Sequence, residues 1–269
     1  MTLAEIKATL REAGVPDYDY DAELLFDTYS GYTKSERLMG AVDSTSEELL
    51  FAVKRRIARE PLQYIIGEVG FYRELYTVTP DVLIPRSDTE HLVDYAVKHI
   101  PEGERFLDLC TGSGCVAIST LNNTKNTTAT LVDISPAALE VARRNAEKIG
   151  VSERAELIEL DIRESMPDGE YFALLSNPPY VADSVYEGLG DEIGFEPKIA
   201  FVGGEDGGDF YRLIVPLAKK MIKPDGFIAL EIGYDQAQLM ESLARENSLS
   251  LDIIKDYSGN DRVAVFKRK

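Results

Sequence analysis

The sequence predicts an α/β fold, an open and mostly parallel doubly wound sheet, preceded by a small helical domain. Three observations carry this. From residue 105 to residue 266, apolar runs of strand length alternate with stretches of helical periodicity, which implies a sheet covered on both faces. Before residue 60 the hydrophobic spacing is that of short helices. Between Gly67 and Pro80 the period changes to two, as expected of a β-hairpin between two domains.

The elements follow in order. Leu3, Ile6, Leu10 and Ala13 recur at helical spacing, and Gly14-Val15-Pro16 stops that helix. A second helix runs from about Asp21 to Tyr29 and ends at Ser30-Gly31. A third opens at Thr45 or Ser46, with Glu47 and Glu48 in its first turn, and carries Leu49, Leu50, Val53 and Ile57 on one face. Phe71, Tyr76, Val78 and Thr79 mark the hairpin. Strands are expected at Arg105–Leu109, Ala129–Val132, Ala155–Leu160, Tyr171–Ser176, Phe227–Ile232, Leu249–Ile254 and Val263–Phe266. Helices are expected at Cys115–Leu121, Pro136–Ile149, Phe210–Met221 and Gln236–Ala244. Seven strands, the last two closely paired, fit an open sheet with one reversed edge strand. Ala182 to Gly208, rich in Gly, Asp and Glu and without a period, reads as a long functional loop. The expected domains are 1–66, helical; 67–85, a hairpin linker; and 86–269, the sheet domain.

Of 269 residues 44% are hydrophobic, enough for a sizeable core. Net charge is −18. Such an acidic surface repels phosphate backbones, which argues against a nucleic-acid partner unless a local basic patch overrides it. The two cysteines, Cys110 and Cys115, lie in one loop and form neither a disulfide framework nor a C-x-x-C metal pair, which fits a reducing compartment. With only His91 and His99 present, a histidine-rich metal site is excluded. Met1 to Ile6 lacks the layout of a signal peptide, and no run approaches the about 18 apolar residues of a membrane span. A soluble cytoplasmic protein without a metal is expected.

The first strand of the sheet domain runs into Cys110-Thr111-Gly112-Ser113-Gly114-Cys115. A glycine pair at a strand-to-helix turn lets a ligand approach the backbone, although a lone G-x-G also suits a plain tight turn. Asp108, four residues before Gly112, would suit the cationic amino group of an amino-acid cofactor. Leu131-Val132-Asp133 puts an acid at the tip of strand two, where it can accept both hydroxyls of a ribose. An ordinary helix cap is the alternative for Asp133, but Ser135 and Pro136 could start that helix unaided. Strand three ends in Leu160-Asp161-Ile162, where the acid can meet an adenine amino group and Ile162 can cover the ring. A nicotinamide enzyme would more typically show a third glycine where Ala117 stands. Acid-x-x-x-G-x-G, followed by acids ending strands two and three, is the pattern of the S-adenosylmethionine-binding fold, so S-adenosyl-L-methionine is the expected cofactor.

The fourth strand ends in Asn177-Pro178-Pro179-Tyr180. The prolines donate no N–H and hold φ near one value, and Pro178 keeps Asn177 out of the helical region. A target –NH2 can donate one hydrogen to the Asn177 side-chain oxygen and another to the Pro178 carbonyl. That would aim the nitrogen lone pair at a methyl donor next door, and the gain would be one of orientation. Tyr180 would stack on the flat target group. By itself the turn leaves adenine, guanine and glutamine open.

Together these segments resemble the release-factor glutamine N5-methyltransferase family. The matching blocks cover nearly the whole chain: Gln63 to Gly67, Val82 to Glu90, Asp108 to Gly114, Ser176 to Tyr180, Glu196-Pro197, Gly203 to Gly207 and Gly259 to Arg262. DNA adenine methyltransferases share the Asn-Pro-Pro-Tyr turn but not the Val82-to-Glu90 block. Ser87 departs from the family, which usually has proline there. The resemblance implies a class I S-adenosylmethionine-dependent methyltransferase domain with a Rossmann-like seven-stranded sheet. It also implies an N-terminal helical bundle that helps hold the substrate. That substrate would be the glutamine of the Gly-Gly-Gln loop in class 1 peptide-chain release factors. On this resemblance Asn177, Pro178 and Tyr180 are catalytic, and Asn177, Pro178, Pro179 and Tyr180 hold the glutamine. Cys110, Thr111, Gly112, Ser113, Gly114, Asp133, Asp161 and Ile162 would hold the cofactor with Asp108 and Asn177. Arg86, Glu90 and Glu196 would support the pocket, and the protein would act as a monomer.

Lys54-Arg55-Arg56 with Arg59 is the densest basic cluster. It reads either as a solvated helix face or as a docking patch for an acidic surface of the release factor. The cysteines read as small residues lining the turn, the histidines as surface or packing residues, and Phe71, Tyr72 and Tyr76 as hairpin packing. Three rivals stand beside the leading reading. A ribosomal-protein glutamine methyltransferase would need the same amide pocket. A nucleic-acid amino methyltransferase would want a basic channel. A non-catalytic cofactor-binding protein would not need the full set of Asp108, Gly112, Gly114, Asp133 and Asn177.

Overall fold

The computed structural model describes residues 1–33, 35, 36, 43, 44 and 46–269. The chain forms two compact units, Met1–Glu68 with Gly190–Phe195, and Val69–Leu189 with Glu196–Lys269.

The first unit holds helices α1 (Leu3–Glu12), α2 (Tyr18–Tyr29), α3 (Glu47–Ile57) and α4 (Leu62–Ile66). Thr2 and Glu5 open α1 with reciprocal caps. Ser46 caps α3, its Oγ accepting from the Leu49 N–H at 3.2 Å; Thr45, the other expected opening, lies outside the described residues. Ile6, Leu10, Leu25, Phe26, Leu49 and Val53 form the core. The expected inner face of α3 needs correction. Its buried stripe is Leu49, Ala52, Val53 and Arg56, whereas Leu50 and Ile57 are 36% and 38% exposed. The buried four follow the i, i+3, i+4, i+7 rule, and Leu50 and Ile57 fall to one side of it. Arg56 can occupy the stripe because Asp21 meets its guanidinium at 2.6 Å and Glu192 at 2.7 Å. A buried charge needs such partners, so neither a solvated face nor a docking patch describes Arg56.

A hairpin follows, β1 (Glu68–Phe71) and β2 (Glu74–Thr77), which belongs to the second unit from Val69 onward. Phe71 and Tyr76 are buried edge to face, 5.8 Å between ring centroids. The alternating part follows as α5 (Glu90–His99), β3 (Arg105–Leu109), α6 (Cys115–Asn122), β4 (Thr128–Asp133), α7 (Pro136–Ile149), β5 (Ala155–Glu159) and β6 (Tyr171–Ser176). It continues as α8 (Asp183–Tyr186), α9 (Asp209–Met221), β7 (Ile222–Glu231), α10 (Ala237–Glu246), β8 (Leu249–Lys255) and β9 (Asp261–Arg268). Among the described residues the larger sheet has seven strands in the order β5-β4-β3-β6-β7-β9-β8. Period-two alternation divides each strand between two cores. Phe106, Leu131, Ala173, Leu175 and Val265 face α5, α6 and α7. Leu107, Leu109, Leu174, Leu230 and Phe266 face α9 and α10.

The reversed strand is not at the edge. β9 runs antiparallel between β7 and β8. Val263, Ala264, Val265 and Phe266 are all fully buried and need cover on both faces, whereas β8 exposes Ser250, Asp252 and Lys255 and so tolerates an edge.

The register positions the site. Leu109 at the end of β3 pairs with Val132 on β4 and with Ser176 on β6. The turn after β3, Asp133 and Asn177 therefore emerge together, where the connections leave β3 in opposite directions, the place such sheets bind ligands.

Candidate active site

The turn after β3 is stitched by its own backbone. The Thr111 N–H donates to the Val132 carbonyl at 3.0 Å, and the Gly114 N–H to the Thr111 carbonyl at 2.8 Å. Cys110, Gly112 and Gly114 all have left-handed φ, at 57°, 55° and 80°. The two glycines serve different ends. A Cβ on Gly112 would meet nothing within 4 Å, whereas one on Gly114 would meet Ile118 Cδ1 at 2.6 Å and Ala142 Cβ at 3.1 Å. Gly112 keeps space open, and Gly114 lets α6 and α7 pack closely.

Asp133 braces this turn. Its Oδ2 accepts from the Gly112 N–H at 2.8 Å and its Oδ1 from the Ser135 N–H at 2.9 Å. α7 is capped instead by the Ser135 Oγ, which accepts from the Ala138 N–H, with Pro136 in the first turn. Each Asp133 oxygen keeps a lone pair for a further donor. Burial raises its pKa against the backbone donors that favour the charge. Asp108 is only 1% exposed and accepts from the Thr111 hydroxyl. Burial pushes its carboxyl up to about 7. Burial also raises both thiols, that of Cys115 to about 12, so they are poor nucleophiles.

A cleft opens beside this turn, apolar over most of its lining with a few convergent polar groups, the character of a small-molecule site. Cys110, Gly112, Asp133, Asp161, Ile162 and Pro179 are among its walls, with Ile134, Ala138 and Leu160 adding apolar surface. A smaller neighbouring cavity is lined by Arg86, Thr89, Asp108, Thr111 and Ser113. Asn177 lines both. Asp161 is gripped by Arg163 at 2.7 Å, and that hydrogen bond lowers its pKa.

Other expected site residues line neither cavity. Gly114 packs as described. Pro178 is buried. Tyr180 donates its hydroxyl to Glu231 Oε1 at 3.1 Å, and burial raises its pKa. Glu90 accepts from the Tyr72 N–H at 2.8 Å. Glu196 accepts from the Ile84 N–H at 2.9 Å and pairs with Arg86.

The turn after β6 is clasped from outside. Val181 bridges Val202. A Cβ on Gly203 would meet the Pro179 carbonyl oxygen at 2.5 Å, and one on Gly207 the Tyr180 carbonyl oxygen at 2.2 Å. Gln236 Nε2 donates to the Tyr180 carbonyl at 3.1 Å. The Asn177 Nδ2 donates to Thr89 Oγ1 at 3.2 Å. Thr89, Glu231, Gln236 and Arg163 therefore stand around the candidate site although the sequence reading gave them no role. Two of them carry a sequence signal: Thr89 lies inside the Val82-to-Glu90 block, and Glu231 is an acid closing an apolar strand as Asp133 does. Among the described residues no group of His, Cys, Asp or Glu could hold a metal ion, and no helix is long and apolar enough to cross a membrane.

Comparison with known proteins adds names to this geometry. Residues 2–67 match the PrmC N-terminal domain and residues 88–192 the Methyltransferase small domain. The release factor glutamine methyltransferase of Caulobacter vibrioides is 35% identical over 98% of this chain and 96% of its own length. That of Moorella thermoacetica is 35% identical over 99% of this chain and 97% of its own length. A solved methyltransferase from Pyrococcus furiosus shares the fold, with a TM-score of 0.53 at 19% identity over 87% of this chain and 100% of that one.

Proposed function

Because the chain belongs to the release factor glutamine methyltransferase family, we propose that it methylates the side-chain amide nitrogen, N5, of the Gly-Gly-Gln glutamine in class 1 peptide-chain release factors. The methyl donor would be S-adenosylmethionine, which supplies an electrophilic sulfonium methyl when bound. The position of Asn177 on both cavities is the observation that supports this reading most. It puts one amide-bearing side chain against both the larger cleft and a second, smaller space.

The residues present fit such a cofactor. The free lone pairs of Asp133 suit ribose hydroxyls, and the apolar walls at Leu160 and Ile162 suit an adenine ring. The buried carboxyl of Asp108 suits an ammonium group, whose charge would favour the ionised form. Gly112 leaves the backbone open to approach. On the target side, Asn177 Oδ1 and the Pro178 carbonyl accept the two amide hydrogens and hold the nitrogen in place, while Tyr180 packs beside the target. Pro179 walls the larger cleft. Arg86, held by Glu196, supports the smaller cavity, and Glu90 fixes the hairpin turn through the Tyr72 N–H. Orientation supplies the rate.

Residues 1–66 serve as the substrate-recognition domain, 67–85 as the joint and 86–269 as the transfer domain. The protein works as a cytoplasmic monomer on a protein rather than a nucleic acid, in keeping with its charge of −18. Incubation with labelled S-adenosylmethionine and a purified class 1 release factor should label the factor. Replacing the loop glutamine should abolish the label; label that persists would move the target elsewhere.

A further inference from the structure

We propose that Glu231 and Gln236 are positioning residues of the target site, which act through Tyr180 by holding it at both ends; this rests on the function proposed above. Asn177, Pro178 and Pro179 hang between two anchors. On one side is Ser176, fully buried at the end of β6, whose hydroxyl donates to the Leu109 carbonyl at 2.6 Å. The prolines fix φ but have no N–H with which to tie the turn down. Where the Pro178 carbonyl sits therefore depends on the second anchor, Tyr180.

The backbone end of Tyr180 is held by Gln236. Its Nε2 donates to the Tyr180 carbonyl at 3.1 Å and to the Gly207 carbonyl at 3.3 Å, and its Oε1 accepts from the Gly233 N–H at 2.8 Å. A backbone carbonyl only accepts and a backbone N–H only donates, so the Gln236 amide can face one way only. The far end of Tyr180 is held by Glu231, whose Oε1 accepts the phenolic hydrogen at 3.1 Å.

Both holders are themselves fixed. Glu231 closes β7, where it pairs with Val263 on β9 while its neighbour Leu230 pairs with Ser176 on β6. The turn after β6 thus leaves the sheet beside Glu231, whose side chain is 1% exposed and has little room to move. The fully buried Tyr211 joins the two, its hydroxyl reaching the Glu231 carbonyl at 2.9 Å and Gln236 Oε1 at 3.0 Å. Tyr180 also packs against the core beneath it. A ring tethered at its hydroxyl and at its backbone keeps one rotamer, so the target meets a turn already in place. Neither Glu231 nor Gln236 lines the cavities. Releasing Tyr180 should therefore cost turnover and leave cofactor affinity alone.

The experiment uses the full chain, labelled S-adenosylmethionine and a class 1 release factor. Tyr180→Phe removes one oxygen and should lower kcat on the order of tenfold, as loss of orientation does, with cofactor affinity by calorimetry unchanged. Glu231→Leu should be as slow, whereas Glu231→Gln, which keeps an oxygen to accept the hydroxyl, should retain most of the turnover. The double variant Tyr180→Phe with Glu231→Leu should be no slower than either single one, because both remove the same contact. Gln236→Glu keeps the acceptor, loses the donor and should also lower kcat. Wild-type kcat in Tyr180→Phe or Gln236→Glu, Glu231→Gln as slow as Glu231→Leu, or additive losses in the double variant would overturn the tether. Asn177→Ala separates the two ideas. If it is inactive while Tyr180→Phe is normal, the tether alone fails; if it is active, the site reading fails and the tether with it.

Discussion

The turn after β3 and the turn after β6 emerge side by side, yet they are held by different means. The first supports itself. Its amides bond to nearby carbonyls and to Asp133, and its one open glycine faces space. The second cannot do this, because Pro178 and Pro179 have no N–H to offer. It is held by the close approach of Gly203 and Gly207, by Gln236 and, through Asn177 and Tyr180, by Thr89 and Glu231. A turn made of backbone groups bonded to near neighbours can be built locally. A turn that presents one side chain at a fixed angle draws on the rest of the fold.

Gly207→Ala would break the comparison most severely. The new Cβ would lie 2.2 Å from the Tyr180 carbonyl oxygen at a φ of 74°. Overpacking and left-handed strain together should cost on the order of 2–4 kcal/mol. Methyl transfer should vanish in the protein that still folds, with cofactor binding by calorimetry near normal. Transfer at the wild-type rate would show that the clasp is dispensable.

A middle-sized effect separates the glycines of the other turn. Gly112→Ala should cost about 1–2 kcal/mol through φ strain alone, while cofactor affinity falls because the methyl enters the cleft. Gly114→Ala should cost more stability, from its contact with Ile118 at 2.6 Å, and less affinity. Denaturant unfolding and calorimetric titration of both variants test this, and the opposite ranking would sink the division of roles.

The last comparison is a pH dependence of stability. The folded Asp108 carboxyl, raised by burial to about 7 from the ordinary 3.8, binds its proton more tightly than the unfolded chain does. Between those values the folded state holds more protons, so Asp108 destabilises the cofactor-free protein progressively as pH rises through that window. Asp108→Asn should remove this component, and the difference in Tm between wild type and variant should widen in the variant's favour from pH 5 to pH 7. A constant difference would mean that Asp108 is ionised throughout.

The legible parts of the molecule share a cause. Strands β3, β4 and β6 announced themselves because an apolar run needs no distant partner to be recognised, and Asp108, Asp133 and Asn177 because they close such runs. Leu50 and Ile57 misled because a short helix offers two overlapping apolar stripes, and the choice between them falls to the buried pairing of Arg56 with Asp21 and Glu192. The place of β9 was obscure for a similar reason. Two adjacent strands read as a terminal pair, and only the competition for cover shows that Val263–Phe266 goes inside and Leu249–Lys255 outside.

Sequence alone determined the alternating architecture, the acids at the strand ends and the amide turn. These follow from periodicity and from residue chemistry within a few positions. Tertiary structure alone decided which side chains face that turn. Thr89, Glu231 and Gln236 lie far from Asn177 along the chain, and only the closing of the sheet and its helices brings their hydrogen-bonding groups to it. The physical reason is range: backbone preference and side-chain alternation act over a few residues, whereas the surroundings of one half-buried amide depend on every donor and acceptor that folding places around it.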